Sequence, residues 1–298
     1  MRAQASLLPD GRRLHLQDGP IDLIIEGFGV GPEVTAAYGA AIRRFRTVLD
    51  ELCSELPLLR TPAGPQTPMP IGTTATRMAM AVAPYSERTF ITPMAAVAGA
   101  VAEEILEAMT SAAQLSKAYV NDGGDIALHL APGEQFVVGM IDRPDRPSLF
   151  GTATLRSGDP VRGIATSGWH GRSFSLGIAD AVTVLSKRAA IADAAATIIA
   201  NAVDLPEHPK VQRVSARSIC PDSDLGELLV TQSVGELSAE DITCALDQGA
   251  AVADRLRSQG LIHSAALHLQ GETRIVSINR EIACVADNQE LFRSLAHA

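Results

Sequence analysis

The sequence predicts an α+β fold of mainly antiparallel sheets with long packed helices. Three observations predict it. Helical stripes alternate with paired short strand runs rather than with single strands, the order expected when helices layer against hairpins. Aromatics are only 4% of the chain while alanine and glycine are frequent, so helices can approach their neighbours closely. A pattern also recurs: DIALHLAPGEQFVVGM (125–140) and SAALHLQGETRIVSI (264–278) share Ala-Leu-His-Leu, Gly-Glu and an apolar strand, each after a long helix. That echo suggests internal duplication of a helix–hairpin unit, although short strand patterns also coincide by chance.

In chain order, RLHLQDGPIDLIIEGFG reads as two strands around an Asp18-Gly19 turn. Pro32 opens an amphipathic helix to about Leu56, with Val34, Tyr38, Ala41, Ile42, Phe45, Leu49 and Leu52 at helical spacing. Five prolines in 57–70 make a stiff loop or flap. IGTTATRMAMAVAPYSERTFI reads as strand-rich, and Thr92-Pro93 then supplies a cap and first-turn proline for a helix to about residue 115. Strands flank NDGGD and the Pro132-Gly133 turn, and another lies near 151–156. TSGWHGRSFS (166–175) leads to IADAVTVL and an alanine-rich helix from Ser186 to about Asp204, stopped before Pro206. VQRVSARSI and LGELLVTQSV read as strands, Ser238 begins a helix ending near Gly260, and two strands close the chain. No stretch reads as a linker between independent cores, so residues 1–298 are expected to form a single domain.

Length and composition bound the function. A chain of 298 residues, 46% hydrophobic and 20% charged, can bury a large core. Its net charge of -9 argues against nucleic-acid binding. An anionic ligand would need local cations or backbone N–H groups. Cys53, Cys220, Cys244 and Cys284 show no C-x-x-C spacing and are expected to be reduced, mostly buried thiols. No basic-then-apolar leader opens the chain, and no apolar run reaches the roughly 18 residues of a membrane span. The expected location is the cytoplasm, and the alanine-rich packing surface permits a homodimer.

Three constellations could carry chemistry. Asn121, Gly123, Gly124 and Asp125 lie between two strand-like runs, where paired glycines let a ligand come close. The same residues make an ordinary Asx-stabilised turn, and composition favours that turn. In the second, successive N–H groups of Thr166, Ser167 and Gly168 could form a nest for an oxyanion. Beside them Arg172 could grip phosphate, Ser173 adds a hydroxyl, and His170 could move a proton near neutral pH. A tight turn whose Trp169 fills a surface groove weighs about equally. In the third, Asp193, Thr197 and Asn201 stand at i, i+4 and i+8 of one helix. A carboxylate and a hydroxyl one turn apart can ligate magnesium, with Asp180 joining from the preceding strand. A solvated polar stripe is the competing account.

Taken in this order, VNDGGDI, IATSG and AVTVLSKRAAIADAAAT resemble the ApbE superfamily, the magnesium-dependent FAD:protein FMN transferases once linked to thiamine biosynthesis. The likeness spans roughly residues 90–205. It implies a flavin nucleotide as ligand, FAD as substrate, and FMN transfer to a Ser or Thr hydroxyl of a protein acceptor. It further implies Asp193 and Thr197 as magnesium ligands, with Asn121, Gly123, Gly124, Asp125, Thr166, Ser167 and Gly168 around the nucleotide. The chain departs from the family pattern at two places. Ala98-Gly99-Ala100 stands where a Lys-Gly-Tyr-like motif is usual, and the family's His and Asp-Pro insertion is missing between Gly168 and Val182. His170 and Asp180 occupy that interval and are the candidate catalytic pair. The chain thus resembles a divergent branch. A non-catalytic flavin-binding protein, or an assembly protein with a relic pocket, remains open beside the enzyme.

Overall fold

The computed structural model describes residues 3–143, 148–277 and 282–284. The elements in order are β1 (Gln4–Leu7), β2 (Leu14–Asp18), β3 (Ile21–Phe28), α1 (Gly31–Ser54), α2 (Leu56–Leu59), α3 (Thr73–Val82), α4 (Val97–Ala112), β4 (Lys117–Asp122) and β5 (Asp125–Leu130). There follow β6 (Gln135–Ile141), β7 (Leu149–Arg156), β8 (Gly163–Ser167), β9 (Ala181–Ser186), α5 (Ala189–Ala202), β10 (Val211–Ser215) and α6 (Ala216–Ile219). Last come β11 (Leu229–Val234), α7 (Ala239–Ser258), β12 (Ser264–Leu269), β13 (Glu272–Val276) and β14 (Ile282–Cys284). Helices layered on antiparallel strand pairs make the fold α+β. No helix of the described residues is long and apolar enough to cross a membrane.

Contacts divide the chain into two compact units. The first gathers the residues up to Glu134 with Pro160–Ala165 and Leu185–Ala194; the second gathers Gln135–Asp159, Thr166–Val184 and the chain from Ala195.

In the first unit β1 to β5 pair antiparallel in sequence order. Residues Gly163 and Ile164 of β8 add to β5. The period-two burial of β4 shows one face of that sheet turned to the core. Against it pack α1 and α4. The helix from Pro32 forms as its spacing predicts, burying Ala37, Ala41, Phe45, Val48 and Leu52 along one stripe. Phe45 is 2% exposed, and burying such a side chain contributes about 2–3 kcal/mol.

Residues 73–82 correct the sequence reading: they form a helix, not strands. Thr74, Ala75, Met78, Ala81 and Val82 are buried at helical spacing. The start of α3 is held from a distance, because Glu55 accepts the N–H groups of Ile71 and Gly72 at 2.7 and 2.8 Å. Within the proline-rich segment, α2 takes in residues 57–59, and residues 60–72 hold no helix or strand.

The second unit holds a three-stranded antiparallel sheet of β14, β7 and β6, the β10–β11 pair and the β12–β13 hairpin. VQRVSARSI is a strand only to Ser215, after which α6 begins. α7 packs on β12 and β13. Ser238 starts it with a full capping box, its hydroxyl accepting from Asp241 N–H.

Each unit therefore contains a long helix followed by an antiparallel hairpin: α4 before β4–β5, α7 before β12–β13. The Ala-Leu-His-Leu echo does not superpose on that repeat. It falls on the second strand of one hairpin, β5, and on the first strand of the other, β12.

Candidate functional site

The chemistry-bearing residues fall into two groups. Asn121, Gly123, Gly124, Asp125 and Asp193 belong to the first unit; Thr166, Ser167, Gly168, His170, Arg172, Ser173, Asp180 and Thr197 belong to the second.

In the first unit the centre is the junction of α4 and α5. A helix leaves its first N–H groups without intrahelical partners, and Ala96, which precedes α4, has no side chain to cap them. Asp193 of α5 supplies the acceptor: Gly99 N–H donates to its Oδ2 at 3.0 Å, and Ala98 N–H donates to it as well. The favour is returned. Glu103 of α4 accepts the N–H of Ala190, in the first turn of α5, at 2.9 Å through Oε1. Through Oε2 it accepts from Arg188 Nε at 3.0 Å and Arg77 at 2.8 Å. The two helices cap each other. Only glycine allows this approach at position 99, since a Cβ there would lie 2.4 Å from the carbonyl oxygen of Ala189.

Asp193 is not a simple cap, however. Burial pushes its carboxyl up to about 7; the N–H groups of Gly99 and Ala98 pull the other way, and the charge of Asp122 raises it further. Asp122 ends β4 and is 5% exposed. Two acids thus face each other where their negative charge is costly. That donor set suits a hard divalent cation, which takes oxygen ligands and would offset both charges. Among the described residues no group of three or more His, Cys, Asp or Glu is placed to hold a metal. Any magnesium would therefore draw its remaining ligands from hydroxyl, carbonyl, water or phosphate. Thr197, the other expected ligand, is half-buried one turn along α5 and belongs to the second unit.

Near this junction, the β4–β5 turn stabilises itself. Asn121 Oδ1 accepts the N–H of Gly124 at 2.8 Å, and Gly123 and Gly124 take φ of +65° and +115°. These are left-handed values that glycine adopts without strain. The Asx-type turn is real, and Gly123 stands exposed at its tip.

In the second unit the segment 166–175 is tied to Asp180. The indole Nε1 of Trp169 donates to Asp180 Oδ1 at 3.2 Å, and His170 Nε2 lies 3.2 Å from the same oxygen. Oδ2 accepts Gln270 N–H at 2.6 Å. The rings of Trp169 and His170 are in contact, centroids 3.8 Å apart and tilted by 35°. Gly168 is buried, and a Cβ there would meet the Asp180 carbonyl oxygen at 2.2 Å. Thr166 shares a hydrogen bond of 2.9 Å with Thr183 of β9. Arg172 and Ser173 are exposed. Asn201, the third member of the helical polar face, is structural: its Oδ1 accepts from Ser175 Oγ at 3.2 Å and Leu176 N–H at 2.9 Å.

Sequence reasoning missed the backbone of Ala98 and Gly99, the charge of Asp122, which it read only as part of the NDGGD turn, and His268. The first two were visible only as a missing lysine motif. His268, inside the Ala-Leu-His-Leu echo, stacks on Phe150 with centroids 4.7 Å apart, and its Nδ1 lies 2.8 Å from Thr273 Oγ1. The thiols also differ from expectation. Cys53, Cys220 and Cys244 are free and exposed, not buried; the side chain of Cys284 lies outside the described ones. Cys53 and Cys244 sit on helices whose apolar faces are filled by other residues, and Cys220 follows the end of α6.

A family model described as AbpE bacteria matches residues 5–275. A UPF0280 protein of Methanopyrus kandleri is 35% identical over 171 residues, covering 57% of this chain and 66% of that protein. One of Methanothrix thermoacetophila is 40% identical over 111 residues, covering 37% and 46%. The chain thus spans about half to two thirds of the length of the relatives it matches. Among solved structures, a flavinyl transferase ApbE of Pseudomonas stutzeri in its apo form is similar over 97% of this chain and 96% of that one. The TM-score is 0.42 and the identity 12%. On the family match across residues 5–275, the chain belongs to the family described as AbpE bacteria.

Proposed function

We propose that the protein binds a flavin nucleotide, FAD above all, with magnesium, and acts as an FMN transferase on a Ser or Thr hydroxyl of a protein acceptor. The observation that carries this reading is Asp193, a carboxylate crowded by protein and repelled by Asp122, in a chain that belongs to the AbpE bacteria family. Asp193 and Thr197 would hold the metal, with Asp122 adding negative charge beside it. Bound there, magnesium would supply positive charge to a diphosphate, the usual need in phosphoryl transfer. Asn121, Gly123, Gly124 and Asp125 would line the nucleotide, the exposed glycine tip allowing close approach. Thr166, Ser167 and Gly168 would offer N–H groups to phosphate, and Arg172 and Ser173 would grip it from the solvent side. His170, whose Nε2 lies 3.2 Å from Asp180 Oδ1, would take the proton of an acceptor hydroxyl. Incubation of the purified chain with FAD and magnesium should release AMP and leave FMN on a Ser/Thr-bearing protein. Neither product with magnesium, manganese or calcium would overturn the reading.

A second reading has its own support. Asp180 already accepts from Trp169 and Gln270 as well as facing His170, which suits a structural knot as much as a catalytic pair. On that reading the chain binds flavin without turning it over. Flavin would then raise the melting temperature by ligand linkage while AMP release stays at background.

A further inference from the structure

The first unit also contains an open cleft of about 350 Å3 that none of the proposed flavin or metal ligands lines. Its walls come from the middle of α4, from β5 and from the residues just before α5. Four cationic side chains meet there, Arg77, Arg162, Lys187 and Arg188, against two carboxylates, Glu103 and Glu107. In a chain of net charge -9 that concentration of positive charge stands out.

The carboxylates do not cancel it. Glu103 is committed on both oxygens, to Ala190 N–H through Oε1 and to Arg77 and Arg188 through Oε2. Glu107 is paired with Arg77 at 2.7 Å and is otherwise turned to solvent, 64% exposed. Arg77 is fixed by Glu103, Glu104 and Glu107, so its charge is held in place beforehand. Arg188 keeps half its side chain exposed beyond its contact with Glu103. Lys187 is exposed and makes no ion pair with a described residue. Preorganised guanidinium groups with one mobile ammonium at the rim form a phosphate-binding set. The volume lies at the small end of the range of about 300–1,000 Å3 for ligand sites, too small for a dinucleotide and ample for a diphosphate.

We propose that this cleft is a second ligand site, for a small phosphate-type oxyanion such as pyrophosphate or a phosphomonoester. It does not depend on the flavin reading, because Asp122 and Asp193 take no part in its walls.

Calorimetric titration of the full chain with pyrophosphate, in metal-free buffer at low salt, tests the proposal. Saturable binding is expected, weakened about ten-fold or more by Lys187→Glu and restored toward the parent value by Lys187→Arg. Lys187 lies on the surface and pairs with no acid among the described residues, so both variants should fold, which circular dichroism checks. Asp193→Asn should bind pyrophosphate as the parent does. That arm separates this proposal from the flavin site: a failed flavin assay with pyrophosphate binding intact leaves the cleft standing. Absence of binding at millimolar pyrophosphate, equal affinity in Lys187→Glu, loss in Asp193→Asn, or equally tight binding of malonate would each overturn it.

Discussion

Asp193 and Asp180 are both half-enclosed carboxylates that receive backbone N–H groups, yet they stand in opposite electrostatic states. Asp193 faces a second acid, and burial is the main cause that pushes it up to about 7. Asp180 is surrounded by donors: an indole N–H, an imidazole and the Gln270 amide. One acid has charge to give away; the other has spent its own. The contrast teaches that buried acids are to be sorted by what surrounds them before roles are assigned, since hydrogen-bond donors complete a carboxylate while a second acid leaves it seeking a cation.

Removing each acid should separate the two states. Asp180→Ala strands the Trp169 and Gln270 donors and should cost about 3 kcal/mol, read as a shift of the urea midpoint. A loss under half of that would mean that the knot is not what holds segment 166–175. Gly99→Ala attacks the other junction through sterics: its Cβ would press on the Ala189 carbonyl, for an expected loss of about 2 kcal/mol. Asp193→Asn should behave differently from both. The amide oxygen keeps accepting from Gly99 and the repulsion with Asp122 disappears, so metal-free stability should change by about 1 kcal/mol or less. The melting-temperature rise given by magnesium with FAD should vanish with it. If that rise persists, residue 193 is a cap and nothing more.

The smallest effect concerns pH. Burial holds the His268 imidazole below its ordinary value of 6.5, with Asp180, Asp142 and Glu272 pulling upward. A folded value below the unfolded one means that the unfolded chain takes up the proton first as pH falls. The stability tied to His268 is thus complete above about 6.5 and lost as pH drops through that value toward the folded one. Urea midpoints at pH 7.5 and 5.5 should differ less in His268→Gln than in the parent.

The sequence made the long helices legible because their determinants are local. Pro32 begins one, the Ser238–Asp241 box begins another, and apolar spacing runs between such marks. It hid α3, whose paired threonines suppress the helical pattern and whose entry is fixed by Glu55, at the distant α1–α2 junction, through the N–H groups of Ile71 and Gly72. The site was half legible for the same reason. Asn121 with its glycines is a local turn and could be read off. The Asp193–Gly99 bond joins residues 94 positions apart, and no local rule connects them.

The mutual caps carry one more consequence. Because Glu103 serves α5 while Asp193 serves α4, neither first turn is finished until the other segment has arrived, and the pair behaves as a latch with two keys. A ligand that tugs on the 193 carboxylate loosens the grip on the Gly99 amide, so deuterium uptake at that single amide becomes a gauge of occupancy.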